Sequence, residues 1–266
     1  MPEPLKLMFA RLARLSPLDA GDEAAILALP HTLRTLAPDE YLIREGEAAE
    51  NSCLLREGFI QRHKLVANGS RQIVSIHMAG DMVNLQNSLL GTADHSVQAL
   101  TAAKVAFIPG RDIIALAARR PAVAMAMWLD TLIDGSIFRE WITNVGRRDA
   151  RTRTAHVLCE FAVRQEAAGL GPLHRYELPM TQEELADALG LTPVHVNRTL
   201  KALEASGLIE REKRSVTIAD WDALRRAADF NPAYLHLEPA IRALPDDPER
   251  PAPDEQESAA TLRKTG

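Results

Sequence analysis

The sequence predicts an α+β chain in three parts: an N-terminal β sandwich, one long central helix and a C-terminal winged helix-turn-helix. Three observations carry this. Short β-prone runs separated by turn residues fill the stretch after His31. A helical period continues unbroken after Pro121 for about six turns. Met180 to Gly207, MTQEELADALGLTPVHVNRTLKALEASG, holds the start and stop signals of two helices joined by a sharp turn. The parts divide at 1–120, 121–146 and 147–237, and a proline-rich acidic tail follows at 238–266.

Residues 3–15 read as an amphipathic helix, because Leu5, Met8, Phe9, Leu12 and Leu15 recur at helical spacing; a second short helix is expected after Ser16-Pro17. The strand candidates are Thr32 to Leu36, Tyr41 to Arg44, Ser52 to Glu57, Phe59 to Leu65, Gln72 to Met78, Ser96 to Ala99 and Lys104 to Ile108. So many short strands imply a sandwich. Pro38-Asp39, Arg44-Glu45-Gly46, Asn68-Gly69 and Ala79-Gly80-Asp81 supply the turns, and Asn68-Gly69 is the clearest hairpin signal.

Arg111 to Arg119 predicts a short helix before Pro121, and VAMAMWLDTLIDGSIFREWITNV the long one. Met125, Trp128, Leu129, Leu132, Ile133, Ser136, Ile137 and Trp141 form a stripe too wide for one contact. A second subunit is the expected cover, so the stripe predicts a homodimer. A core helix inside a monomer is the alternative. Gly146 is expected to break the run before RRDARTRTAHVLCEFAVRQEAAG.

Within the helix-turn-helix, Thr181 and Glu184 are spaced as a capping box, and Gly190 can supply the left-handed residue that stops the first helix. Thr192 caps the second, with Pro193 at its first position. If Val196, Leu200 and Leu203 are buried, Val194, Asn197, Arg198 and Lys201 face outward. Donors of this kind suit DNA. Arg198 can donate twice to guanine, Asn197 can pair with adenine or a phosphate, Val194 can meet a thymine methyl, and Lys201 fits a phosphate. Leu208 to Glu210 and Ser215 to Ile218 flank a charged tip of Arg211, Glu212, Lys213 and Arg214, which reads as a wing. Arg211, Lys213 and Arg214 are candidates for phosphate contact, as are Thr181, Thr192 and His195, the two threonines serving also as caps. The plain alternative is a helical hairpin with a solvated polar face.

A chain of 266 residues can hold two domains. No apolar run approaches the ~20 residues a bilayer requires. Lys6, Arg11 and Arg14 interrupt the N-terminal segment, which therefore does not resemble a secretory signal, and a cytoplasmic, membrane-free protein is expected. Cys53 and Cys159 fall in different domains and predict buried thiols rather than a disulfide or a metal cluster. The net charge of −5 argues against a surface coated by nucleic acid while permitting a local basic face. The tail is expected to be disordered. No paired nucleophile and base, clustered histidines or phosphate-binding glycine loop suggests an enzyme.

A sandwich, a long helix and a winged helix-turn-helix in this order resemble the Crp/Fnr superfamily of bacterial transcription regulators. The likeness rests on TQEELADALGLTPVHVNRTLKALEASGLIE, on GDMVNLQNSLL where the family has its phosphate-binding cassette, and on RTRTAHVLCEFA at the start of the DNA-binding domain. It implies a jelly roll of the cyclic-nucleotide-binding type, a dimer, and promoter DNA and RNA polymerase as partners. Arg198 matches the family arginine that reads guanine, whereas Val194 stands where members commonly have an acid and Pro193 where some have a basic residue. Family half-sites need not carry over.

The family members that bind cyclic AMP use a glutamate and an arginine for it. Here no glutamate lies between Glu57 and Glu140 and no arginine between Arg71 and Arg111, and Asp81 and Lys104 are poor substitutes. No cofactor is predicted, and cyclic AMP is argued against. Two isolated cysteines cannot hold a four-iron cluster. Haem stays open, with His63, His77, His95 or Cys53 as a ligand. The rival reading is a ligand- or haem-sensing module whose winged helix serves protein contact.

Overall fold

The computed structural model describes residues 3–237; the tail expected to be disordered lies outside them. Helices α1 (Lys6–Ala13) and α2 (Ala20–Leu27) open the chain. The strands follow as β1 (Thr32–Leu36), β2 (Tyr41–Ile43), β3 (Asn51–Glu57), β4 (Ile60–Leu65) and β5 (Arg71–His77); after the short helix α3 (Asn87–Leu90) come β6 (Ser96–Ala99) and β7 (Ala103–Pro109). They form a three-stranded sheet, β1-β7-β3, and a four-stranded sheet, β2-β6-β4-β5. Between them lie Leu36, Cys53, Leu55, Ile60, Val97 and Val105.

The first sheet is covered on both faces. Cys53 and Leu55 point into the sandwich, while Leu54, Ala106 and Ile108 meet Met8 and Leu12 of α1 and Val123 and Ala126 of the long helix. Alternate residues along β3 thus enter different cores, which is why this strand is apolar on both faces. Each of the four expected turns contains a residue in the left-handed region: Asp39 (φ 65), Gly46 (φ 88), Gly69 (φ 85) and Gly80 (φ 96).

Helix α4 (Gly110–Arg119) leads into α5 (Pro121–Arg147), with Pro121 in its first turn, where its missing N–H costs nothing. The expected break at Gly146 does not occur. Gly146 is helical and the chain leaves the helix at Arg148, whose backbone is extended. The dimer stripe also needs correction, since it joins two faces of α5. Leu129 and Ile133 pack on the cores of the same chain, and Ile137 and Trp141 lie inside one of them. Trp128 (61% exposed) and Leu132 (52%) point outward, while Met125 and Ser136 are half-buried.

The last part comprises α6 (Ala150–Ala167), β8 (Arg175–Glu177), α7 (Gln182–Leu189), α8 (Pro193–Ala205), β9 (Ile209–Glu212), β10 (Ser215–Ile218) and α9 (Trp221–Ala227), and ends in a 3₁₀ turn at Pro232–Leu235. Its core joins Leu158 and Phe161 of α6, Leu185 and Leu189 of α7, and Val196, Leu200 and Leu203 of α8. Ile73 and Ile76 of β5 enter the same core, so the sandwich and this domain share packing. Arg71 on β5 pairs with Asp187 on α7 at 2.7 Å.

Candidate nucleic-acid interface

Local chemistry places the recognition helix. The Thr181 hydroxyl accepts from the Glu184 N–H at 3.2 Å and the Glu184 carboxylate accepts from the Thr181 N–H at 2.7 Å, so the capping box is complete. Gly190 (φ 61) turns the chain, and Thr192 accepts from the His195 N–H at 3.2 Å to start α8. Val196, Thr199, Leu200 and Leu203 are buried. This fixes the opposite face outward, where Val194 is 80% exposed and Arg198 and Lys201 are also exposed. Among the described residues, Arg198 and Lys201 make no ion pair. Two cations held on one helix face without counter-charge suit a polyanion.

Asn197 is half-buried and donates to the Gln182 side chain at 3.1 Å. Together with Pro193, Val194, Arg198 and Lys201 these residues line one shallow concavity. Gln182 is an addition to the sequence-derived set. It follows the cap directly, so the capping box itself marks a position beside the groove-facing helix. His195 is half-buried, and Thr181 and Thr192 are engaged as caps while remaining exposed.

The wing is a three-stranded sheet in the order β8-β10-β9. Strand β8 was not foreseen, since Arg175–Glu177 has a single buried residue, Tyr176, and so gives almost no alternation. The first wing strand runs through Ile209–Glu212, so Arg211 and Glu212 belong to the strand and the tip is Lys213-Arg214. Lys213 takes the left-handed turn position (φ 55), and both tip residues are exposed. Arg211 departs from its expected role. Its guanidinium pairs with Glu204 of α8 at 2.9 Å and braces the wing against the recognition helix.

A cavity of about 720 Å³ lies between β4–β5 and α5. Arg62, Lys64, Asp94, His95 and Asp134 supply its charged and titratable lining; Phe138, Trp141 and Ile142 supply apolar wall. Arg62 went unweighed because it sits in a β-prone run away from the cassette. Asp81 and Lys104, the poor substitutes for the nucleotide ligands, do not line the cavity: Lys104 pairs with Glu57 at 2.8 Å, and Asp81 pairs with Arg11 at 2.7 Å and Arg164 at 3.1 Å. Of the haem candidates only His95 reaches it, with its Nδ1 2.6 Å from Asp94. Both thiols are buried, and burial pushes Cys159 up to about 12.

A model of the cyclic nucleotide-binding domain matches residues 33–120, and a model of the Crp-like helix-turn-helix domain matches residues 152–227. The chain is 27% identical over 212 residues to the nitrogen fixation regulation protein FixK of Azorhizobium caulinodans, covering 78% of this chain and 85% of that protein. It is 28% identical over 213 residues to the transcriptional activator protein FnrL of Cereibacter sphaeroides, with coverage of 78% and 85%. The structure of FixK2 from Bradyrhizobium japonicum superposes with a TM-score of 0.70 at 25% identity, over 75% of this chain and 98% of that one. No helix among the described residues is long and apolar enough to cross a membrane. A cyclic-nucleotide-binding-like roll, a long helix and a Crp-like helix-turn-helix in this order make the chain a member of the Crp/Fnr superfamily, a sequence-specific DNA-binding transcription regulator.

Proposed function

We propose that this regulator acts in the cytoplasm as a homodimer paired along α5, reads an imperfect palindrome at promoters through the exposed face of α8, and needs no cyclic AMP to do so. The observation that carries the reading is the exposed Arg198 and Lys201, without an ion-pair partner among the described residues, on the helix that the Arg211–Glu204 pair ties to the wing. Arg198 and Asn197 supply base contacts, with Val194 against a thymine methyl, and Lys201, His195, Lys213 and Arg214 supply phosphate contacts. Its action is binding alone, with no catalytic step and with RNA polymerase as the partner at the promoter.

The pairing face is supported by Trp128, Leu132, Gly135, Arg139, Ile142 and Gly146, which recur at alternating spacings of three and four residues as in a coiled-coil seam. Trp128, Leu132 and Ile142 are the large apolar groups there, the last 71% exposed. A two-fold axis along α5 would set the recognition helices about 34 Å apart, one turn of DNA.

Selection of bound sequences from a random duplex pool, at two salt concentrations and with and without cyclic AMP, tests the reading. The expected result is a palindrome recovered without nucleotide, with affinity falling steeply as salt rises. Recovery only with cyclic AMP would refute the effector-free reading. No enrichment under any condition would refute DNA readout by this face.

A further inference from the structure

We propose that Asp134 of α5 is a resident anion: its carboxylate occupies the cationic centre of the cavity and ties the long helix to the β roll without any ligand. This deepens the proposed function and rests on its reading that cyclic AMP does not control the protein.

Arg62 lies on β4 with no exposed surface. A buried guanidinium demands a counter-charge, and leaving one unpaired would be costly. Asp134 supplies it at 2.5 Å, and a second guanidinium nitrogen donates to the Val83 carbonyl. The Arg62 group also lies 5.7 Å from the Phe138 ring centroid, one turn along the same helix. Only Nε is left without a partner. Burial is the largest single influence on Asp134 and raises its carboxyl, but the Arg62 charge, the His77 ring and the Arg62 hydrogen bond together hold it below the usual range.

The remaining lining charges point the same way. Lys64 is held by Glu45 at 2.6 Å and by the Asp94 carbonyl at 2.6 Å, and His95 by Asp94 at 2.6 Å. Arg62 and Lys64 are the lining cations and Asp94 and Asp134 the lining carboxylates, so the two pairs cancel. An entering phosphate or carboxylate would have to displace Asp134 to reach the terminal Arg62 nitrogen it occupies, and would sit beside Asp94. The site therefore refuses anions while keeping the architecture that would hold one, and the bond an anionic ligand would make between roll and helix is made by the chain itself.

The consequence extends to the DNA-binding domain. Gln72 lines the same cavity, and its side-chain amide donates to the Ala188 carbonyl near the end of α7 at 3.2 Å. A roll and a long helix locked by Arg62–Asp134 thus present a fixed surface to the helix-turn-helix.

Removing the resident anion should open the site. The full-length wild type and the Asp134→Ser and Asp134→Asn variants would be melted with inorganic phosphate, with cyclic AMP, and in an anion-poor buffer; the near-isosteric Asn variant guards against a Ser variant that fails to fold. Phosphate is expected to bind a folded variant at least about tenfold more tightly than the wild type, the worth of one charge-assisted contact. An Arg62→Met, Asp134→Asn double variant should lose that gain. Three results would overturn the proposal: phosphate stabilising the wild type as much as the variants, no folded variant gaining affinity, or the gain persisting without Arg62. Cyclic AMP stabilising the wild type would instead sink the reading beneath it, whereas a wild type indifferent to cyclic AMP with unresponsive variants sinks the resident anion alone. The melts require no DNA, so they stand apart from the operator selection.

Discussion

Arg211 of the wing and Glu204 of the recognition helix are joined by an ion pair of 2.9 Å, which makes the wing's position a property of α8. Both side chains are partly exposed, so the pair contributes at most about 1 kcal/mol to stability. Its larger role is placement of the tip. Arg211→Ala should weaken binding to operator and random duplex alike while leaving the selected consensus unchanged, and a double-mutant cycle with Glu204→Ala should show coupling. A changed consensus would mean that Arg211 touches a base.

Arg198 and Lys213 should separate cleanly in a similar comparison. Arg198→Ala is expected to cost roughly 1 to 3 kcal/mol and to relax one position of each half-site, because a bidentate base contact carries sequence information. Lys213→Ala should weaken all sequences and flatten the salt slope by about one, as one phosphate contact is lost. Unchanged operator binding by Arg198→Ala would show that another face of α8 meets the DNA.

The two faces of α5 predict opposite outcomes for the same substitution. Leu132 is on the outward face, so Leu132→Asp should leave the fold intact and weaken dimer association by a hundredfold or more, on the order of 3 kcal/mol for a charge placed in an apolar seam. Ile137 is buried in the core shared with α6, so Ile137→Asp should lower the melting temperature at every concentration. Sedimentation and thermal melts read the two apart. A Leu132→Asp protein as dimeric as the wild type would remove α5 as the seam.

Gly58, between β3 and β4, cannot carry a side chain. Its φ is +85°, and a Cβ would stand 2.3 Å from the Ala102 carbonyl oxygen. That obstacle is backbone and cannot swing aside. Gly58→Ala should cost about 2 to 4 kcal/mol, from the left-handed backbone together with overpacking. A shifted urea midpoint with an unchanged slope would register it, and a midpoint within error of the wild type would mean the turn relaxes.

What the sequence made legible was whatever a short-range rule governs. Thr181, Glu184, Gly190 and Thr192 act within four residues of their partners, and the helix-turn-helix follows them closely. The turns at Asp39, Gly46, Gly69 and Gly80 depend on local backbone chemistry and appear where expected. Partners set by the tertiary fold were not legible. Arg62 and Asp134 are 72 residues apart, and nothing local marks either as half of a buried pair. Arg211 looked like part of a basic tip until its strand register turned it toward Glu204. The α5 stripe was read as one surface because a wide apolar arc does not reveal which edge its own chain covers.

His63, a haem candidate by residue type, is a buried neutral ring and makes the fold acid-sensitive. It has no exposed surface, neither ring nitrogen has a hydrogen-bond partner, and the ring meets Tyr41 edge-on at 5.8 Å. Burial first, and then the Arg71 guanidinium, lower it from 6.5 to about 4. The unfolded chain takes up this proton near 6.5 and the folded chain only near 4, so between those values the unfolded state binds more protons. Its contribution is therefore complete above about pH 6.5 and is lost as the pH falls, by on the order of 3 kcal/mol at pH 4. His77, also lowered to about 4, adds to the slope in the same sense. A His63→Phe variant should lose less stability than the wild type across this window, whatever its stability at neutral pH. Urea titrations at half-unit steps measure the difference, and parallel curves for the two proteins would mean that the imidazole is already solvated in the fold.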